Sequence, residues 1–261
     1  MCIFEGNVGG INGELTDLSS FGVGEVDELL GGGLITGNSY LLETEPGTEE
    51  MSFIASYLNA GWQQREFCVV ITSDLPNQEL IKRLSRLVDA RQRIDAGDFG
   101  IVDLYTEAKY DYEPSGPIYM TRNPRDFNTV RRLSFELADR TPERLRNGRF
   151  TRIRYVTCSL SSMIKTYKFE QMYKWEEAGL DLARQSNMVN LELLEPKMFD
   201  ETTVASFEHL HDGIIVLSME KLGDRFQRYI RIKKSPVSGF STKIEPYDIV
   251  DNRPHLQGQP D

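Results

Sequence analysis

The residues with the most chemical content are Leu42-Glu43-Thr44-Glu45-Pro46-Gly47-Thr48-Glu49-Glu50-Met51-Ser52. They lie in the order of a phosphate-binding loop, G-x-x-x-x-G-K-[ST]. In such a loop the glycine-rich backbone presents N–H groups to phosphate oxygens, the lysine reaches the β- and γ-phosphates, and the hydroxyl holds Mg²⁺. Here Glu49 and Glu50 stand where the second glycine and the lysine belong, and Met51 follows them. Unit charges about 4 Å apart repel by roughly 1 kcal/mol in water and roughly 4 kcal/mol at an effective dielectric near 20. Two carboxylates therefore oppose a triphosphate. The groups still able to meet phosphate are Gly47, Thr48 and Ser52. The acids also have a purely local reading, because carboxylates at the start of a helix complement its positive end and satisfy the N–H groups that phosphate would have bound.

The elements that must position this loop follow from the apolar patterning. Ser39–Glu43 reads as the strand before it. Residues 50–64 read as the helix after it, with Phe53, Ile54, Tyr57, Leu58 and Trp62 on helical spacing. Phe67–Thr72 is a short apolar run suited to a fully buried strand. Further along come a helix over Asn77–Arg93, a strand over Gly100–Tyr105, a polar loop from Thr106 to about Asn123, and a helix from Pro124 and Asp126 to Arg140. Arg152–Cys158 is a strand, Ser161–Ser186 one long helix, Met188–Leu194 a strand, and Asp200–His211 a helix capped by Asp200. Gly213–Ser218 leads into a hairpin turning at Leu222-Gly223-Asp224 and returning over Arg225–Lys234, and Lys243–Val250 is a last edge strand. Alternation of strand and helix predicts a mostly parallel α/β sheet covered on both faces. Residues 1–20 read as an N-terminal extension, 21–250 as one domain, and 251–261 as a disordered Pro/Gln/Gly tail.

Upstream of the loop the text is Phe21-Gly22-Val23-Gly24-Glu25-Val26-Asp27-Glu28-Leu29-Leu30-Gly31-Gly32-Gly33-Leu34-Ile35-Thr36-Gly37. The D-E-L-L-G-G-G-L run and the E-P-G-T remnant, at this separation, resemble the start of the RecA-like ATPase core of the KaiC family, which includes archaeal members. The resemblance covers roughly residues 21–250. It implies a RecA-like P-loop core with a C-terminal antiparallel hairpin, and side-by-side assembly as rings or filaments.

The same resemblance allows the family's catalytic positions to be compared one by one. Where the family has a Glu-Glu pair that activates water, this chain has Asp74 and Leu75. Where it has the metal-orienting aspartate of the Walker B strand, this chain has Cys158, within Thr157-Cys158-Ser159-Leu160-Ser161. A neutral thiol is a poor partner for Mg²⁺, which takes oxygen ligands. On the hairpin, the family's trans-acting Lys and Arg correspond to Lys234 and Pro236. The phosphate lysine, the metal aspartate, one of two acids and the trans arginine are thus all missing. The expectation is a degenerate, single-domain member that is non-catalytic, holds no cofactor and acts in signalling or regulation through a protein partner, an active KaiC-like relative or its own copies. The alternatives are a divergent ATP–Mg²⁺ binding protein or nucleotide sensor, using Gly47, Thr48, Ser52 and a neighbour's Lys234 with Asp74 as base, and a DNA-recombination accessory protein.

Bulk properties narrow these classes. The 261 residues carry 30 Lys+Arg against 40 Asp+Glu, a formal charge of −10, which gives no general attraction to nucleic acid or anionic membrane. Cys2, Cys68 and Cys158 form no C-x-x-C pair and are too few for a disulfide framework, and no apolar run approaches membrane-spanning length; a cytoplasmic protein is expected. Cys158 reads as a buried small hydrophobe. His209 and His211 sit at i, i+2, on different faces of a helix, so no metal site is expected. The arginines Arg140, Arg144, Arg146, Arg149, Arg152 and Arg154 read as a solvated loop pairing with nearby acids, with an acidic-partner or nucleic-acid patch as the other reading. Tyr167, Met172, Tyr173 and Trp175 read as core and interface packing.

Overall fold

The computed structural model describes residues 17–108, 117–133 and 148–257. Ten strands form one sheet in the order β12-β11-β10-β9-β3-β8-β7-β4-β5-β6. Its parallel part comprises β3 (Ser39–Glu43), β4 (Phe67–Thr72), β5 (Phe99–Glu107), β6 (Ile118–Thr121), β7 (Ile153–Cys158), β8 (Val189–Leu194) and the start of β9 (Gly213–Leu222). The chain then turns back on itself through β10 (Arg225–Lys234), β11 (Ile244–Val250) and β12 (Arg253–Leu256), all antiparallel. A separate two-stranded ribbon pairs β1 (Leu18–Ser19) with β2 (Leu34–Ile35).

The period of two along each buried strand divides the apolar side chains between two cores. Tyr40 and Leu42 of β3, Cys68 and Val70 of β4, and Leu191 and Leu193 of β8 face one core. That core is closed by α1 (Gly24–Leu29), α2 (Glu50–Gln63), α3 (Asn77–Leu84) and α4 (Ala90–Ala96). Leu41, Val69, Ile71 and Leu194 face the other. Its cover is α5 (helical residues 127–133), α6 (Leu160–Thr166), α7 (Phe169–Gln185) and α8 (Glu201–Leu210). Parallel strands buried on both faces read as continuous apolar runs for this reason.

Several expected boundaries change. Asn77–Arg93 is two helices, interrupted at Ser85–Asp89 with Leu87 and Val88 tucked against the core. Ser161–Ser186 is also two helices. Tyr167 breaks them in an extended conformation, its hydroxyl bonded to the Pro124 carbonyl. The polar stretch before Asn123 contains β6, which the apolar count could not reveal in four residues. The tail expected to be disordered from residue 251 forms β12, which pairs Arg253–Leu256 with Tyr247–Val250, so Lys243–Val250 is not the sheet edge. Residues 1–16 of the extension, most of the 124–140 helix beyond residue 133, and Arg140, Arg144 and Arg146 lie outside the described residues.

Of the other three arginines, none belongs to a free basic loop. Arg149 pairs with Asp98 at 2.7 Å, and Arg152 lies between Asp17 and Glu66 at 3.0 and 3.2 Å. Arg154 is fully buried, bonds Glu66, Ser19 Oγ and the carbonyls of Ser20 and Tyr57, and stacks its guanidinium 4.4 Å above the Tyr57 ring.

Candidate functional site

Ligand crevices in open α/β sheets lie outside the carboxyl ends of the parallel strands. At that edge this chain places the loop 44–49 after β3, Ser73–Pro76 after β4, Cys158 at the end of β7 with Ser159 following, and Glu195 after β8. The loop turns through Gly47 (φ 92°) and then Glu49 (φ 58°, ψ 43°), which precedes α2 in the left-handed region. That conformation explains why a glycine suits the position where Glu49 stands, since a side chain there costs on the order of 1 kcal/mol. Glu49→Gly is expected to stabilise the fold by about 1 kcal/mol in urea denaturation, the lost 3.7 Å surface pairing with Arg228 subtracting little.

The loop is held and covered by its own chain. Thr48 is fully buried, and its N–H and Oγ1 both donate to the Glu45 carbonyl, at 3.2 and 2.8 Å. From the C-terminal strands, Tyr247 donates its hydroxyl to the Thr48 carbonyl at 2.6 Å and Arg228 Nε donates to the Gly47 carbonyl at 2.8 Å. The Met219 thioether lies over Gly47, where a Cβ would come within 2.7 Å of the sulfur. Tyr247, Arg228 and Met219 were not picked out by motif, because their role arises from the fold of the antiparallel meander over the loop. Their cross-strand register, with Arg228 opposite both Met219 and Tyr247, is what brings them together.

The electrostatics are acidic. Burial and the neighbouring Glu49, Asp74 and Glu195 raise the Glu50 carboxyl above its ordinary range. Desolvation raises Asp74 as well, and the Cys158 thiol is held well above its usual value by burial and then by Asp74 and Glu50. Among the described residues two cations pair with acids of the loop, Lys197 with Glu45 at 3.1 Å and Arg228 with Glu49. The structure therefore brings Glu49, Glu50, Asp74 and Cys158 to one edge, with Leu75 beside them accepting a bond from Thr72 Oγ1 at 2.7 Å. Ser52 is buried in the first turn of α2. Lys234 lies apart. It faces Ile214 near the other end of the strands and caps α8, donating to the carbonyls of Glu208, His209 and His211. Pro236 follows in an exposed turn after β10. This arrangement does not fit a Mg²⁺–triphosphate: Met219 lies over Gly47, and the facing groups are carboxylates and a neutral thiol.

Glu43, the last residue of β3, is 5% exposed and shares a proton with Glu208, whose carboxylate is held low beside Lys233 at 2.5 Å. Burial and that pairing push Glu43 up to about 7. The folded protein thus holds a proton that the unfolded chain releases near 4.5, and stability falls as pH rises through that window, levelling off above about 7. Glu43→Gln keeps the donor without the charge. It should exceed the natural chain by on the order of 2 kcal/mol at pH 8, after allowance for solvent screening, and by well under half that at pH 5. Denaturation curves at the two pH values check this, and a gap independent of pH would refute it.

Fold and site together define a RecA-type α/β domain whose loop stands at the strand ends. Residues 20–139 match the model of the ATPase family KaiC. A KaiC-like protein of the hyperthermophilic archaeon Pyrococcus horikoshii superposes with a TM-score of 0.72 at 20% identity, over 93% of this chain and 99% of that one. An uncharacterised protein of the same organism, solved in complex with an unknown peptide, superposes with a TM-score of 0.75 at 16% identity, over 92% and 98%. No curated protein matches the sequence. Residues 20–139 thus resemble the KaiC ATPase family, and the chain as a whole shares the RecA-type fold of these two structures. Among the described residues no helix is long and apolar enough to cross a membrane.

Proposed function

We propose that this chain is a KaiC-like pseudo-ATPase, retained as a regulatory or scaffolding protein that works through protein–protein contacts. The observation that carries this reading is the self-closed loop: Thr48 and Gly47 are bonded by Tyr247 and Arg228, Met219 fills the approach, and Glu50 stands in place of the phosphate lysine. The meander's donors hold the Gly47 and Thr48 carbonyls and so fix the loop against the sheet without any ligand. The meander also carries Leu222, Phe226, Ile244 and Val250, four of the seven exposed large apolar side chains among the described residues. Apolar side chains gathered on one sub-sheet favour a contact with protein over one with a charged nucleotide.

Calorimetric titration with ATP and ADP, with and without Mg²⁺, tests the proposal on the natural chain and on Glu49→Gly/Glu50→Lys. The natural chain is expected to give no binding heat up to millimolar nucleotide, while the variant gains measurable affinity through the restored charge. Micromolar, Mg²⁺-dependent binding by the natural chain would overturn the pseudo-ATPase reading and make nucleotide sensing the function to pursue.

A further inference from the structure

On the opposite face of the sheet from α2, three potential ligands converge that no sequence motif connects. Glu192 belongs to β8 and points, with Leu194, into the core beneath α7 and α8. Glu176 comes from the middle of α7, and His211 from the C-terminal end of α8. All three are buried, at 6%, 2% and 0% exposure, and one ligand atom of each lies within 4.8 Å of the other two. The sequence argument against a metal considered only His209 with His211, and those two do diverge, His209 being exposed. The third dimension supplies His211 with two glutamates instead.

The hydrogen bonding of this cluster is incomplete in a particular way. His211 Nδ1 lies 2.8 Å from the Phe207 carbonyl, an acceptor, so Nδ1 carries a proton, and in the neutral ring Nε2 presents its lone pair. Nε2 faces Glu192 Oε2 at 3.3 Å. Nε2, Glu192 Oε2 and Glu176 Oε1 are all buried without a hydrogen-bond partner. Three polar atoms converging on one dry point call for positive charge between them, as protons on Glu176 and the His211 ring or as a bound ion, because an uncompensated buried carboxylate costs several kcal/mol. An imidazole whose far nitrogen is fixed by a carbonyl is the usual support for a metal-bound histidine.

We propose that Glu176, Glu192 and His211 form a buried structural site for a divalent transition ion of the Zn²⁺ or Mn²⁺ class. Two carboxylates and a neutral imidazole sum to −2, which one divalent ion neutralises. The imidazole disfavours Mg²⁺ and Ca²⁺, which take oxygen, and the absence of thiolate disfavours Cu⁺. A tetrahedral ion with bonds near 2.0–2.2 Å holds its donors roughly 3.3–3.6 Å apart, so small side-chain movements bring the three atoms into range. The ion would tie β8 to the two helices covering it, a fastening independent of the closed loop.

Because α7 and α8 seal the site, the full chain is refolded from denaturant with chelator, or with one equivalent of Zn²⁺, Mn²⁺ or Co²⁺, and dialysed. The expected results are about one retained ion per chain by elemental analysis, visible d–d absorption from the Co²⁺ form, and a Tm higher by about 5–10 °C at metal concentrations near 100 times Kd. Glu176→Gln separates the metal from its simplest rival, a proton shared between the glutamates. Glutamine can donate to Glu192 as a protonated carboxyl would, so the rival predicts an unchanged fold and no metal in either protein. The metal site predicts a folded variant that loses the ion, the Co²⁺ spectrum and the metal-dependent Tm, and His211→Gln should do the same. No retained ion in the natural chain overturns the proposal. So does an ion that survives both substitutions, which would be adventitious binding at His209, His255 or surface acids.

Discussion

Arg154→Met should lower unfolding stability by about 3 kcal/mol, a Tm fall of roughly 6–12 °C for a chain of this size. Arg154 and Glu66 are both fully buried, and the guanidinium also holds Ser19, the Ser20 and Tyr57 carbonyls and the Tyr57 ring. Methionine matches much of the volume but leaves those acceptors and most of a buried carboxylate unpaired. Arg152, 3.2 Å from Glu66, recovers part of the loss, which is why the estimate sits at the lower end for a broken buried pair. The double variant Arg154→Met/Glu66→Met removes both charges and should return most of the stability, because desolvation offsets much of what a buried ion pair gains. Urea unfolding of the natural chain, both single variants and the double variant gives the coupling directly. A single variant within 0.5 kcal/mol of the natural chain would show that the pair is dispensable.

Gly22→Ala should be at least as damaging, at about 3 kcal/mol or more. Gly22 adopts φ +99°, and a Cβ there would sit 2.2 Å from the Ser56 carbonyl oxygen and 3.1 Å from Ala60 Cβ. The obstacle is the backbone of α2, so relief requires moving the helix that follows the loop, on top of the strain of a side chain in that region of φ. Gly24→Ala is the internal control. Gly24 has open space around it and begins α1, so alanine there should be neutral or stabilise by up to about 1 kcal/mol. Equal thermal melts for the two alanine variants would contradict the packing assigned to Gly22.

The two cases show how far patterning reaches. Phe21-Gly22-Val23-Gly24 belongs to the stretch that carries the resemblance, but nothing in it tells that Gly22 lies against another backbone and Gly24 does not. Strands β3 and β4 are legible to the residue, because a strand buried on both faces needs an unbroken apolar run. The breaks between α3 and α4 and between α6 and α7 are not. No Gly or Pro marks either one, and the helical spacing of apolar residues continues across them. Arg152 and Arg154 belong by composition to a basic surface run, yet alternation along β7 turns Arg154 into the core, where Glu66 awaits it.

Sequence alone determined the α/β alternation, the pair of carboxylates Glu49 and Glu50 in the loop before α2 and the thiol of Cys158 at the end of β7. Each is a property of residue type at a fixed spacing, and spacing along a chain is local. Tertiary structure decided that Tyr247, Arg228 and Met219 close the loop, that Lys234 caps α8, and that Glu176, Glu192 and His211 meet. Those contacts join residues from 16 to about 200 positions apart, and only the order and register of the sheet, which residue types specify collectively, bring them within bonding distance.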